Sequence, residues 1–566
     1  MNNLSAIDYA VFIFYFILIS GYGYWIYRSK KNTAVKGTND FFLAEGSLTW
    51  WAIGASLIAS NISAEQFIGM SGQGFTVGIA VAAYEWIAAI ALIIVAVWFI
   101  PIYLKNKIFT MPQFLQNRYN ETVSLIMAIF WLFLYIFVNL TSILYLGAIA
   151  ISSIVDPEYF KYIIIALAAF ALLITLGGMK VIGFTDVIQV VVLIIGGLAT
   201  TYIALTLVSQ HFGLGTDAIA GFKMLMTDSP DHFKMILDKP DANSTQEYVN
   251  KYLSLPGIAM YFAGQWIVNL NYWGCNQYIT QRALGADLKT ARKGILFAGF
   301  LKLGMPIIVM LPGIAAYVLH KNGALQSEMA PNGKVIADNA YSAILTFLPT
   351  GLKGLSLAAL TAAIVASLAG KANSISTIFT LDIYKKYLNK DASEKNMVIV
   401  GRLAIFTAMF ISIVFTWDDI LGIGGEGGFT FIQKYTGFIS PGVFAMFILG
   451  MFWKRTTGTA AVAGLISGIA FSFFFNSFAT SIFGNETWLY TAYLNKDDVY
   501  EIPFLIWMGW AFAFTMLIMI GLSLAGPKIN PKAFEIDKSM FKVTNSVMAM
   551  IIITLLILIM LYVRFW

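Results

Sequence analysis

Long apolar runs, separated by short polar stretches, recur along nearly the whole chain. The first, Ile7 to Tyr27, is long enough to cross a bilayer at a rise of about 1.5 Å per residue. The same criterion predicts about fourteen spans. They lie near 7–27, 50–75, 76–103, 122–152, 160–178, 181–208, 253–281, 289–319, 341–383, 397–417, 421–453, 458–477, 501–525 and 544–565. No basic segment precedes Ile7 and no small-residue cleavage pattern follows Tyr27, so this run predicts a retained helix and not a signal peptide. Basic pairs and clusters at Arg28/Lys30/Lys31, Lys105/Lys107, Lys289/Arg292/Lys293, Lys385/Lys386 and Lys454/Arg455 all fall on one side of this pattern. That bias marks a cytoplasmic face and predicts a multi-pass protein of the inner (plasma) membrane with both termini on the outer side.

Composition agrees with the pattern. Of 566 residues, 59% are apolar and only 12% charged, about half the charged share of roughly 25% found in soluble domains. Mean hydropathy is +0.75. A soluble enzyme is excluded on these grounds. The net charge of +6 belongs to the one-sided loops and is a topology signal, so no nucleic-acid partner is implied. The single cysteine, Cys275, permits no intrachain disulfide, and His211, His232 and His320 share no ligand spacing. No P-loop pattern and no nucleophile–base pair is visible, which argues against an ATP-driven pump and against an enzyme.

Two spans carry polar clusters that a lipid-facing helix does not tolerate. The second holds Ser56, Ser60, Asn61, Ser63, Glu65, Gln66 and Ser71; the seventh holds Asn269, Asn271, Tyr272, Trp273, Asn276 and Gln277. A charge at mid-span costs ~2.5–3.5 kcal/mol on insertion scales, so Glu65 must face protein or water. Backbone unwinds at membrane depth only where it lines a cavity or packs on protein. The two spans are five apart, the spacing expected of corresponding helices in a five-plus-five inverted repeat. This frames one transmembrane domain over 1–566: an extra helix at 7–27, repeats at 50–208 and 253–453, and C-terminal helices over 458–566. The competing reading makes both clusters polar packing seams.

Four further intramembrane charges need partners: Glu85, Asp186, Lys302 and Lys371. A carboxylate, a lysine, the carboxamides Gln66, Asn269 and Gln433, and aromatic rings together supply what a neutral polyol requires. Carboxylates accept from hydroxyls, amides donate and accept, and a ring face covers the C–H side of a sugar. Alternatively, Glu85 and Lys302 form an ion pair that only holds helices together.

The run Trp50–Gly72 resembles the sodium/solute symporter family, in its bacterial sodium/galactose branch, related to the animal sodium/glucose cotransporters. The segments Phe184–Gln189, Asn276–Arg282, Leu311–Tyr317, Asn373–Tyr384 and Gln433–Gly442 resemble it too. The similarity covers essentially the whole chain and is weakest in the outer loops and after about residue 480. It implies an all-α polytopic membrane protein with a leucine-transporter-type core of ten helices, one helix before it and three after. It implies sugar contacts from Gln66, Glu85, Asn269, Lys302 and Gln433, with Tyr272 as an aromatic platform and inner gate and Trp273 beside it. Met70, Tyr84 and Phe429 fall at outer-gate positions, and Asn61 holds the unwound segment next to Tyr272. A serine of the family's sugar site is Ala88 here. The implied activity is secondary active symport of a neutral hexose with sodium. Its partners are a small sugar, the sodium ion and the bilayer, with no obligate protein partner.

The resemblance also places sodium on carbonyls of Ala59, Ile62 and Ala363 and on two adjacent serines, which here read Ala366-Ser367. Asp186 stands near the inner end of the sodium pathway. Lys371 lies four residues after Ser367, on the same helix face. An ammonium there, next to a lost hydroxyl, suggests a built-in cation replacing part of the sodium machinery, either paired with Asp186 or pointing at the ion site. Snorkelling to the helix end is the plainer alternative, but Lys385 marks that end ~21 Å further on. Alternative functions are a sodium-independent or proton-influenced sugar carrier, and a symporter for a cyclic polyol or other small solute. The glycine run Gly424–Gly428 reads as a gate hinge or a plain loop.

Overall fold

The computed structural model describes residues 4–29, 42, 48–330, 333–423 and 428–566; Lys30, Lys31 and residues 424–427 of the glycine run lie outside them. Among the described residues, eleven helices are long and apolar enough to cross a membrane, from Ala6–Arg28 to Asn545–Phe565. The other three predicted spans are each divided into shorter helices. The second runs Trp50–Asn61, then Glu65–Met70 and Ser71–Thr76. The seventh runs Ala259–Phe262, Gly264–Cys275 and Gln277–Leu284, and the eleventh Gly428–Gly437 and Ser440–Phe452.

The first helix, Ala6–Ser29, and the last, Asn545–Phe565, are apolar around much of their circumference and largely exposed on the outside of the bundle, as lipid-facing helices are. The centre holds the helix Leu352–Thr377, nearly all of it buried, and the divided second and seventh spans. Lipid tails are as apolar as leucine, so burial alone does not press helices together; small residues that let backbones approach do. Helix Trp50–Asn61 packs on Leu288–Val309 in this way. A Cβ on Gly54 would lie 2.7 Å from the Gly294 carbonyl oxygen, and one on Gly294 would lie 2.8 Å from the Trp50 carbonyl oxygen.

The loop over 209–252 folds into the helices Ala218–Asp228 and Gln246–Ser254, with a short turn at Pro230–Phe233 on the end of the second span. Gly78 takes φ +96°, and a side chain there would meet the His232 carbonyl at 2.4 Å. The buried His232 ring stacks on Tyr317 with centroids 3.8 Å apart. Its Nε2 lies 3.1 Å from the Phe75 carbonyl oxygen, which requires the proton on Nε2. Burial, reinforced by the charge of Lys251, pushes His232 down to about 4, so the ring is neutral over the physiological range.

Candidate functional site

The first central break is capped by its own side chains, and the second is held by tyrosines from neighbouring helices. After Asn61 the chain turns extended at Ile62 (φ −80°, ψ 106°). Ser63 Oγ accepts from the Glu65 amide at 3.2 Å, and Gln66 Oε1 accepts from the Ser63 amide at 3.0 Å. These bonds satisfy donors that the helix start cannot. They turn the Gln66 oxygen to the backbone and leave its amide N–H groups for the cavity. In the seventh span Asn276 is extended (φ −99°, ψ 128°). The Tyr135 hydroxyl donates to Asn276 Oδ1 and accepts from the Gln277 amide, while Tyr103 donates to the Gly274 carbonyl at 2.7 Å.

Asn61 joins the two breaks. Its Nδ2 donates to the Tyr272 hydroxyl at 2.9 Å, and its Oδ1 accepts from Lys302. Lys302 also donates to Glu85 Oε2 at 2.5 Å and stands 5.3 Å from the centre of the Trp273 ring. Both members of this pair are buried. Two opposite charges inside a membrane protein persist only when they are close and well bonded, and here Lys302 has two oxygen acceptors and a ring face.

Around this pair lies a cavity of about 70 Å³ lined by Asn61, Gln66, Glu85, Asn269, Lys302 and Gln433, with Tyr272 and Trp273. Every predicted sugar-contact residue is therefore gathered at one place. Tyr84 and Phe429 meet edge to face across it, their ring centres 5.2 Å apart. Tyr272 packs on Trp273 and Tyr278, at 5.1 and 5.6 Å. Ala88 is part of the wall. Met70, expected with the outer gate, is buried in the helix Glu65–Met70 and does not line the cavity. A larger cavity of about 320 Å³ lies between the first helix and residues 173–181, but its lining is apolar apart from Ser20, Arg402 and two tyrosines. Such a lining offers few groups to orient a polar ligand.

The helix that carries Ala363 and Ser367 packs on the segment of the first break that carries Ala59 and Ile62. Ala59, Ile62, Ala363 and Ser367 are all buried, and Ser367 Oγ donates to the Ser60 carbonyl at 3.0 Å. The helix Leu352–Thr377 is thus fastened where the second span opens. Lys371 Nζ lies 3.4 Å from Ser367 Oγ, so it does point at this place.

The expected pairing of Lys371 with Asp186 is corrected by the structure. Lys371 faces Glu65 Oε1 at 3.6 Å and the Tyr278 ring at 5.0 Å. Asp186 takes Arg282, at 3.8 Å, and accepts from Ser56 Oγ at 2.5 Å. Arg282 donates further to Ser56 Oγ at 2.8 Å, to Ser60 Oγ and to the Tyr278 carbonyl. Gly370 makes room for this guanidinium, because a Cβ there would lie 2.4 Å from its Nη2. Glu65 does more than brace the break; its side chain lines the cavity with Lys371. Arg282 was not anticipated. The signal was charge balance: Glu65, Glu85 and Asp186 outnumber Lys302 and Lys371, and Arg282 stands just past the predicted end of the seventh span.

Comparison with known proteins follows this geometry. The model of the Sodium:solute symporter family matches residues 41–468. Over 577 aligned residues the chain is 43% identical to a sodium/glucose cotransporter of Vibrio parahaemolyticus, covering 100% of this chain and 99% of that one. It is 34% identical to the sodium/myo-inositol cotransporter 2 of Mus musculus, over 83% of this chain and 69% of the relative. Among solved structures, a Na+-coupled sialic acid symporter in a substrate-bound outward-open state superposes with a TM-score of 0.74 at 20% identity, covering 93% of this chain and 99% of that one. The fold is accordingly that of the leucine-transporter type, with its inverted five-plus-five core.

Proposed function

The chain belongs to the Sodium:solute symporter family, and from that premise we propose that it imports a neutral hexose of the galactose or glucose kind by alternating access. It is a membrane transporter and not an enzyme, with sodium as its coupling ion. The observation that carries the hexose reading is the compensated Glu85–Lys302 pair among three carboxamides and two rings in one cavity. A pocket whose charges cancel favours an uncharged ligand, and carboxylates and amides pair with hydroxyls in both directions. The names of the relatives support the same class, since glucose and myo-inositol are both neutral polyols. Ala88 offers no hydroxyl at the wall, which favours a different hydroxyl pattern from a site with serine there and keeps a cyclic polyol as the second reading.

Ligand clefts span roughly 300–1,000 Å³, far above the cavity seen here. Loading a sugar therefore requires the Tyr84–Phe429 contact, or the Tyr272 platform, to move. Sodium enters this scheme at the buried carbonyls of Ala59, Ile62 and Ala363 and the Ser367 hydroxyl, binding where the break and the helix Leu352–Thr377 meet. Filling that junction ties the second span to the helix that faces it, and so couples ion occupancy to the shape of the cavity. We place the two repeats over 50–208 and 253–453 and both termini on the outer side.

The test is uptake of labelled galactose, glucose and myo-inositol into proteoliposomes at fixed pH, with and without an inward sodium gradient. Accumulation of a hexose against its gradient, only with sodium, is expected. Accumulation of inositol alone moves the assignment to the second reading, and uptake of none of the three overturns the substrate class.

A further inference from the structure

We infer that Lys371 is a built-in competitor of the transported sodium ion, taking the Ser367 hydroxyl when sodium is absent and withdrawing to Glu65 when it binds. This rests on the sodium site proposed above and adds a residue to it that sets sodium affinity.

The geometry is specific. Lys371 and Ser367 lie one turn apart on the same helix, with Nζ 3.4 Å from Oγ. The Ser367 proton is already committed to the Ser60 carbonyl, so what the hydroxyl can offer a cation is its lone pairs. One of them is addressed by the ammonium. A sodium ion that uses Ser367 must displace or share this contact, and with alanine at 366 no second hydroxyl stands beside it.

A withdrawal point is in place. Glu65 Oε1 lies 3.6 Å from Nζ, near enough for an ion pair and too far for a hydrogen bond, and that oxygen accepts no other hydrogen bond. A small movement of the ammonium away from Ser367 converts this loose contact into a charge-assisted bond, the stronger arrangement. The remaining neighbours do not bind the ammonium more firmly. Tyr278 offers a ring face at 5.0 Å, Arg282 is a like charge held by Asp186, and the Asp186 carboxylate is bonded to Ser56. Lys371 and Glu65 both line the sugar cavity, so the same displacement alters the charge distribution that the sugar meets.

Equilibrium binding of radiolabelled sodium to the purified full-length protein tests the inference, using Lys371→Met and the double variant Lys371→Met/Glu65→Gln. Both are expected to bind sodium at least about tenfold more tightly than the unaltered chain, ~1.4 kcal/mol. The double variant keeps the net charge of the site. Tightening there identifies release of Ser367 as the cause, whereas tightening only in the single variant overturns competition in favour of simple repulsion. The double variant also leaves no unpaired carboxylate, so the measurement survives if the single variant fails to fold. Equal sodium binding in all three proteins overturns the inference and leaves sodium symport standing. No binding in any of them overturns both.

Discussion

Two lysine–glutamate pairs sit on the wall of one cavity and are built to different standards. Lys302 meets Glu85 at 2.5 Å, is also bonded to Asn61 and faces the Trp273 ring. Lys371 meets Glu65 at 3.6 Å and shares a hydroxyl at 3.4 Å. The first pair is closely bonded and joins the third span, the eighth and the break in the second. The second is under-bonded and lies against the proposed ion site. Close bonding fits a pair that must hold its position while a ligand comes and goes. Slack fits a pair whose partner is exchanged during the cycle. The contrast separates holding a shape from responding to an ion.

The largest expected effect breaks the first pair. Lys302→Met leaves Glu85 buried without a counter-charge, and removing one partner of such a pair costs about 3–5 kcal/mol. A large fall in the thermal midpoint of the solubilised protein, with loss of sugar uptake, is expected. Adding Glu85→Gln to it should restore much of the stability but not the uptake. Recovery of uptake in that double variant would show that the pair is only structural.

A buried group that forms no ion pair among the described residues sharpens the contrast from outside the membrane. His232 is held neutral at about 4, below its free value of about 6.5. Its stabilising contribution is complete above the free value and declines as pH falls from there towards 4, because the unfolded chain takes up the proton first. The full difference amounts to at most about 3 kcal/mol. Protection factors of the amides in residues 209–252, with the intrinsic exchange rate divided out, should fall as pH drops across that window in the unaltered chain, and His232→Gln should flatten the profile. An unchanged profile would remove His232 from the account.

Smaller still is the cost of breaking the slack pair. Lys371→Met should destabilise the fold by about 1–2 kcal/mol, below the usual penalty for a buried pair because its bonds are long. Thermal midpoints of the two lysine variants, measured side by side, compare the pairs directly. An equal loss would erase the distinction between them. The smallest effect is expected at Ala366→Ser, which offers sodium one more hydroxyl and should tighten sodium binding by ~0.5–1.5 kcal/mol. No change in sodium binding would show that position 366 does not face the ion.

Much of this site could be read from the chain because lipid leaves few options. A carboxamide, a carboxylate or a lysine within a span must find protein, so Gln66, Glu85, Asn269, Lys302 and Gln433 were bound to converge, and they line one cavity. Family resemblance supplied the expectation that these residues contact a sugar. Of the predicted gate residues, Tyr84, Tyr272 and Phe429 line the cavity, and Met70 is buried in the helix Glu65–Met70 outside its lining.

The sequence by itself determined the membrane class, the span pattern and the two interruptions, since hydropathy and misplaced polar groups act locally along the chain. It also determined that the buried charges had to be matched. Who matches whom was decided only in the tertiary structure. Lys371 has both Glu65 and Asp186 as candidate carboxylates, and helix spacing does not choose between them. The choice falls to Arg282, which enters over Gly370, bonds Ser56 and Ser60 and takes Asp186 for itself. Pairing in a low-dielectric interior depends on separations of a few ångströms between different helices, a distance that no one-dimensional pattern encodes.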